Sequence, residues 1–295
     1  MKSMNSYLLL GLTIALASAN GTILHIKRND PHSCGAGFNA IVCAVWVPLL
    51  PLIGGVTLRP TGATVLWGCV YGVAMAGFFF TKTGALGCGP IGPTTMIGSC
   101  SMLIPTLAGA ALFGEKIAPA QAAGLALLLC SFALNAQGGT KRGMSRRWLL
   151  YCIAFFAFSG LTGLTMKAHQ NSLGKAEIGT MLWISALVST GMFLLMSAPK
   201  RQLRTLAKEM DLFRWVCAVL CGVVSCLYNR INTGLSGALP GVVFFPIYNG
   251  GVILLNAVLG RLFFKEKLGA LRLIGLGLGI LAILLLGGVF TAGTT

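Results

Sequence analysis

The sequence predicts an all-α polytopic membrane protein, with ten transmembrane helices forming two inverted five-helix repeats. Three observations predict it. Apolar residues make up 56% of the 295-residue chain and charged residues only 9%, a balance that cannot cover a water-facing surface with charge. The apolar residues gather in runs of roughly 18 or more, the length at which a helix crosses about 30 Å of hydrocarbon with its backbone satisfied. One pattern also occurs twice: Thr83-Gly84-x-x-Gly87-x-x-Pro90 returns as Thr233-Gly234-x-x-Gly237-x-x-Pro240, an offset of 150. Self-similarity at a fixed offset marks a repeated structural unit.

Taken in order, the expected spans cover 6–26, 34–54, 62–82, 91–113, 118–137, 147–167, 178–197, 212–233, 240–263 and 268–290. The first has the outline of a signal peptide, with Lys2, an apolar core and Ala17-Ser18-Ala19. It is read as a span because Trp148-Leu149-Leu150 and Ser159 echo Tyr7-Leu8-Leu9 and Ser18. The third and eighth spans end at the repeated Thr-Gly pattern. The fourth carries Pro93 and Pro105; the ninth carries Pro240 and Pro246. Each of these two is followed by a charged knuckle, Gly114-Glu115-Lys116 or Lys265-Glu266-Lys267, and then by a Gly-Leu, Gly124-Leu125 or Gly275-Leu276, inside the next span. Linkers are short and polar. In the longest, from Pro199 to about Asp211, Leu203, Leu206, Met210 and Phe213 recur at helical spacing among Arg204 and Lys208. That segment is either a basic amphipathic helix on an anionic membrane face or a solvated basic loop.

Each half therefore holds five spans, 1–138 and 147–295. An odd number sends the second half into the membrane from the opposite side, the inverted-repeat plan of carriers that rock about a central site.

The net charge of +16 does not indicate nucleic acid. The basic residues lie mostly between apolar runs, where they orient the chain, and no basic aromatic-rich face accompanies them. Most of the ten cysteines fall inside the runs and read as small packing residues. Cys217 and Cys221 share a helix face, but no His or second Cys pair stands at ligand spacing, so neither metal nor cofactor is expected.

The two knuckles, each before a Gly-rich span, together with the Pro-bearing fourth and ninth spans, resemble the repeat signature of the drug/metabolite transporter superfamily, EamA type. The resemblance covers nearly the whole chain. It implies five helices per half and a substrate cavity near mid-membrane, lined by both halves and opened alternately to each side. It names no substrate. Members usually keep both termini in the cytoplasm. Here, with the N-terminus inside, only 6 of the 22 Lys and Arg residues face inward and 16 face outward, so the positive-inside rule favours both termini outside.

None of the six carboxylates lies mid-span, so no buried acid is available for proton coupling. Glu115 is expected to cap or charge a helix start. An enzyme is not expected. No carboxylate pair suits acid–base work, and His25, His32 and His169 lack a companion nucleophile. Gly87-Cys88-Gly89-Pro90-Ile91-Gly92 spells a dinucleotide fingerprint without the strand that must precede it. Polar residues inside spans are the better candidates, because polarity in lipid is costly and faces a cavity or bundle interior. Arg230 leads, with Tyr228 beside it; Tyr248, Asn249 and Phe245 follow around Pro246, and Trp183 supplies an apolar wall. Lys82 and Lys167 are cations that either meet an anionic substrate group or snorkel to the interface. Asn20, Asn39, Tyr71, Ser99 and Ser159 complete the set. Phe78–Phe80 read as lipid-facing or core, and Trp148 and Trp215 as interface anchors.

The expectation is a secondary transporter of a small organic metabolite or drug in the cell membrane. Its partners are the small-molecule substrate and the bilayer. A channel or lipid-scrambling protein without a carrier cycle is the alternative.

Overall fold

The structure, a computed structural model, describes residues 2–26, 36–53, 55–135, 145–172, 174–197, 212–264 and 269–287. Among these every regular element is an α-helix: α1 (Lys2–Ile26), α2 (Ala36–Leu52), α3 (Gly62–Cys88), α4 (Ile91–Cys100), α5 (Leu103–Phe113), α6 (Pro119–Asn135), α7 (Arg146–Gln170), α8 (Ile178–Ser197), α9 (Leu212–Ala238), α10 (Gly241–Phe264) and α11 (Ala270–Leu286). Seven stretches are helical, long and apolar enough to cross a membrane, α4 and α5 counting together, while α2, α6 and α11 are shorter apolar helices. This is the architecture of a helical protein embedded in a membrane. Large apolar side chains such as Leu66, Leu150 and Leu195 stand exposed on the outside. The expected basic helix before Asp211 and the second knuckle, Lys265–Lys267, lie outside the described residues.

Local chemistry sets the helix ends. Thr61 caps α3 by accepting the Thr64 N–H, and Ser145 caps α7 by accepting the Trp148 N–H. Gly114 closes α5 in the left-handed region at φ 68°, where glycine carries no steric cost. Two expected ends prove too early. α3 and α9 continue to Cys88 and Ala238 through the repeated glycines, and stop only before Pro90 and Pro240. A glycine weakens a helix without breaking it, whereas a proline bars its predecessor from the α region. The expected fourth span is divided at Ser101–Met102. Pro105 cannot donate to the Ser101 carbonyl, which accepts instead from Ile104 N at 3.0 Å, tightening the turn.

Helix α3 lies against α7 and α8, and α9, which carries the same Thr-Gly pattern 150 residues later, lies against α1 and α2. A Cβ on Gly72 would come 2.7 Å from Val188 Cβ and 2.8 Å from the Ser185 carbonyl; on Gly222, 150 residues later, it would meet Val45 Cβ at 2.7 Å and the Val42 carbonyl at 2.9 Å. Both positions require glycine so that the backbones can approach. Likewise Gly124 in α6 faces Leu285 and Leu286 in α11, while Gly275 in α11 faces Leu134 and Asn135 in α6. The start of each helix meets the end of the other, so the two run antiparallel. In α2 the late Val47 accepts from the early Trp183 of α8 at 3.0 Å, while the earlier Cys43 lies beside the later Ser189, and the same opposed sense holds there.

Candidate functional site

A cavity of about 430 Å³ lies between α3, α4, α5, α7, α9 and α10. Its volume falls within the range of small-ligand pockets. Seven pairs of its lining residues stand at one fixed separation in the chain. Phe78 and Tyr228, Phe79 and Asn229, Lys82 and Asn232, Thr95 and Phe245, Gly98 and Tyr248, Ser99 and Asn249, Met102 and Val252 all line it, and each pair is separated by 150 residues. Helix periodicity explains the spacing: 78, 79 and 82 stand on one face of α3, as 228, 229 and 232 do on α9.

The chemistry on the two sides differs. From the first half come the rings of Phe78 and Phe79 and the Lys82 ammonium, which lies 5.4 Å from the Phe78 ring centroid. From the second come phenols and amides. The Tyr71 hydroxyl crosses from α3 to donate to Asn229 Oδ1 at 2.7 Å, and Asn229 Nδ2 donates to the Ser225 carbonyl at 2.8 Å. The Asn232 side chain stands beside the Tyr248 hydroxyl. Asn232 is 3% exposed, and its Oδ1 has no hydrogen-bond partner among the described residues. Between the sides, Ser101 Oγ and Ser159 Oγ are 2.6 Å apart. Phe244 stacks on Tyr248 with ring centroids 6.0 Å apart. The lining contains no carboxylate.

Of the residues chosen from sequence, Tyr71, Lys82, Ser99, Ser159, Tyr228, Phe245, Tyr248 and Asn249 line this cavity. Four do not. The Arg230 guanidinium reaches away from it, toward Gly55 and Gly179 at the α2–α3 loop and the start of α8; its neighbours on α9 face the cavity, but it lies on another side of the helix. Trp183 donates its indole N–H to the Val47 carbonyl at 3.0 Å, which Pro51 leaves without its helical donor. Asn20 stands behind Tyr228, within hydrogen-bonding reach of its hydroxyl. Asn39 is buried in α2.

Other expectations are corrected as well. Trp148 is buried and donates to Thr94 Oγ1 at 2.9 Å, whereas Trp215 is 39% exposed as an interface anchor would be. Lys167 neither snorkels nor meets the cavity. It is paired with Glu115, its side chain is 4% exposed, and it donates to the Leu239 carbonyl at 3.2 Å. Glu115 does serve a helix start, but the distant one of α10: its Oε2 accepts the Gly241 N–H at 2.6 Å. At the same end of the bundle Glu177 accepts the Thr61 N–H at 3.0 Å. That bond, with the neighbouring Thr64 hydroxyl, holds the Glu177 carboxyl below its ordinary range. His169 is fully buried there, 3.3 Å from Thr64 Oγ1.

Sequence reasoning did not select Asn229, Asn232, Phe78, Phe79 or Thr95. For three of them the signal was present: the 150-residue offset applied to the chosen Lys82, Tyr228 and Phe245 leads directly to Asn232, Phe78 and Thr95.

No family model matches the chain, and no curated protein matches it. A solved structure described only as "Crystal structure of protein" matches with a TM-score of 0.74 at 16% identity, covering 97% of this chain and 98% of its own. A likeness at that identity speaks for the fold alone.

Proposed function

We propose that the protein is a secondary transporter of a small organic metabolite, working by alternating access in the cell membrane, of the drug/metabolite transporter type that the sequence resembles. The observation that carries this reading is a cavity whose wall takes the same positions from each half of the chain. A site on a pseudo-two-fold axis can face either side of the membrane when one half rocks against the other. The reading divides the chain into inverted repeats, 1–138 and 147–295. The antiparallel seating of α6 on α11 and of α2 on α8 supports it, as does the matched packing of Gly72 and Gly222. The polar ties of Glu115 with Lys167 and Gly241, and of Glu177 with Thr61, join the halves at one end of the bundle. A carrier cycle would release them as that end opens.

The test has two stages. A panel of metabolites is screened for a raised melting temperature of the purified protein, since a ligand of the folded state stabilises it. The solute found is then followed in proteoliposomes. A carrier gives saturable flux that accelerates when the same solute is placed on the far side. Flux that neither saturates nor responds to far-side solute would end the carrier reading and favour a channel.

A further inference from the structure

We infer that His169 is a proton-operated latch: its neutral ring ties the end of α7 to the turn before α8, and a second proton on that ring releases the turn. The latch does not depend on the cavity carrying a solute. On the carrier reading it lies at the end of the bundle that must open.

A chain of hydrogen bonds with one permitted direction carries the inference. Gln170 Nε2 donates to the Lys175 carbonyl at 3.1 Å. A carbonyl only accepts, so this bond fixes which end of the amide is nitrogen. The same Nε2 lies 3.2 Å from His169 Nδ1. Nδ1 is therefore the bare, accepting nitrogen, and the ring proton sits on Nε2. His169 Nε2 lies 3.3 Å from Thr64 Oγ1, to which it donates. The Thr64 hydroxyl in turn bonds the Glu177 carboxylate. The ring is fully buried, and in this arrangement it is neutral with both nitrogens satisfied.

A second proton can go only to Nδ1, where the new N–H faces the N–H of Gln170. Two donors cannot bond each other. Either the side chains separate, or the amide turns to offer its oxygen and gives up the Lys175 carbonyl. Both outcomes free the turn. The amide is exposed where it meets Lys175, so the proton has a path from water. The change also reaches α9, because Gln170 packs on Gly237, where an added Cβ would come 2.9 Å from the Gln170 Oε1.

Few charges surround the ring. From α3 come Thr61 and Thr64 and from α9 Gly237, none of which titrates; Arg59, before α3, is exposed. The turn brings Lys175 and Glu177. Lys167, two residues earlier on α7, points about 200° away around the helix and is paired with Glu115. Of these charges, Glu177 acts on the imidazole. Its carboxyl titrates below 4.5, so its charge is constant while His169 takes up a proton.

Hydrogen exchange of the purified full-length protein in lipid nanodiscs tests the latch. It is read at the Lys175 and Glu177 amides, which bond the Ser172 and Gly174 carbonyls, and is corrected for the intrinsic effect of pH on exchange. Opening of the turn should rise about tenfold between about pH 7.5 and about pH 5.5, the worth of one hydrogen bond. His169→Leu and Gln170→Leu should both lose this pH response, the first because no proton arrives and the second because no amide is turned. Gln170 is only half-buried, so its variant decides the matter should His169→Leu fail to fold. Opening that does not change with pH in the wild type, or a pH response that survives in Gln170→Leu, overturns the inference. If the turn responds to pH while no solute shows far-side acceleration, the carrier reading falls and the latch stands.

Discussion

Gly72 on α3 and Gly222 on α9 seat their helices against Val188 and Val45 so closely that an added Cβ would come within 2.7 Å of either valine's Cβ. A few residues further along the same two helices, the offset joins Phe79 to Asn229 and Lys82 to Asn232. At this one seat the helix-to-helix contact agrees across the 150-residue offset, whereas at Gly77 and Leu227 it does not, and the side chains that face the cavity differ as well. A backbone approaching within van der Waals distance of another tolerates nothing larger than hydrogen, so both copies keep glycine. A cavity wall touches no fixed neighbour and is free to take different chemistry on each side. The likeness at Gly72 and Gly222 therefore marks a close backbone approach, and the difference at 79/229 and 82/232 marks what the helices enclose.

The largest expected effect lies at the tie between the halves. Lys167→Met leaves Glu115 without its buried cation and should cost about 3–5 kcal/mol, read as a drop in melting temperature. The Glu115→Gln, Lys167→Met double variant should recover part of that loss; no recovery would show that the two side chains act separately. Next come the glycine seats. Gly72→Leu and Gly222→Leu should each cost about 1–3 kcal/mol through overpacking, and by similar amounts. A large loss at one seat and none at the other would break the equivalence. On the divergent side, Tyr71→Phe removes the donor to Asn229 Oδ1. Its counterpart 150 residues later is Cys221, which has no phenol to offer. The variant should cost about 1–2 kcal/mol and weaken ligand binding in the same assay; an unchanged melting temperature would mean that water replaces the phenol.

The smallest effect is a pH dependence. The Glu177 carboxyl titrates below its ordinary 4.5 because the Thr61 N–H and the Thr64 and Thr61 hydroxyls favour its charged form. A depressed carboxyl stabilises the fold fully above the ordinary value, and that contribution is lost as pH falls through the lowered value. The gap in melting temperature between wild type and Glu177→Gln should therefore narrow on acidification below about pH 4.5. A gap constant with pH would show that the carboxylate charge is not what matters.

Much of the frame was legible in the sequence because each apolar run reports its own environment. The eighth element starts and stops where expected, at Ile178 and Ser197. Errors arose where glycine was read as a stop, as at Gly84 and Gly234, or where one proline's effect on a distant carbonyl was overlooked, as with Pro105 and Ser101. The cavity was partly legible for the same reason: a polar residue inside a span, such as Tyr71 or Asn249, must face something polar. Arg230 shows the limit of that rule. It is polar within a span, but the group it faces is a loop at Gly55 and a helix start at Gly179, both far earlier in the chain. Lys167 misled in the same way, because its partner Glu115 is distant in the chain.

One helix is short from cap to cap. α11, capped at Gly269 and Gly287, has 17 residues, about 25 Å of rise, whereas the 27 residues of α3 rise about 40 Å. Its outward leucines and isoleucines, Leu273, Ile274 and Ile280, therefore present a low apolar belt. Lipid beside α11 would thin to meet it. Acyl-chain length would then bear on how comfortably the protein sits, and bilayers of short-chain lipid should hold it with the least distortion.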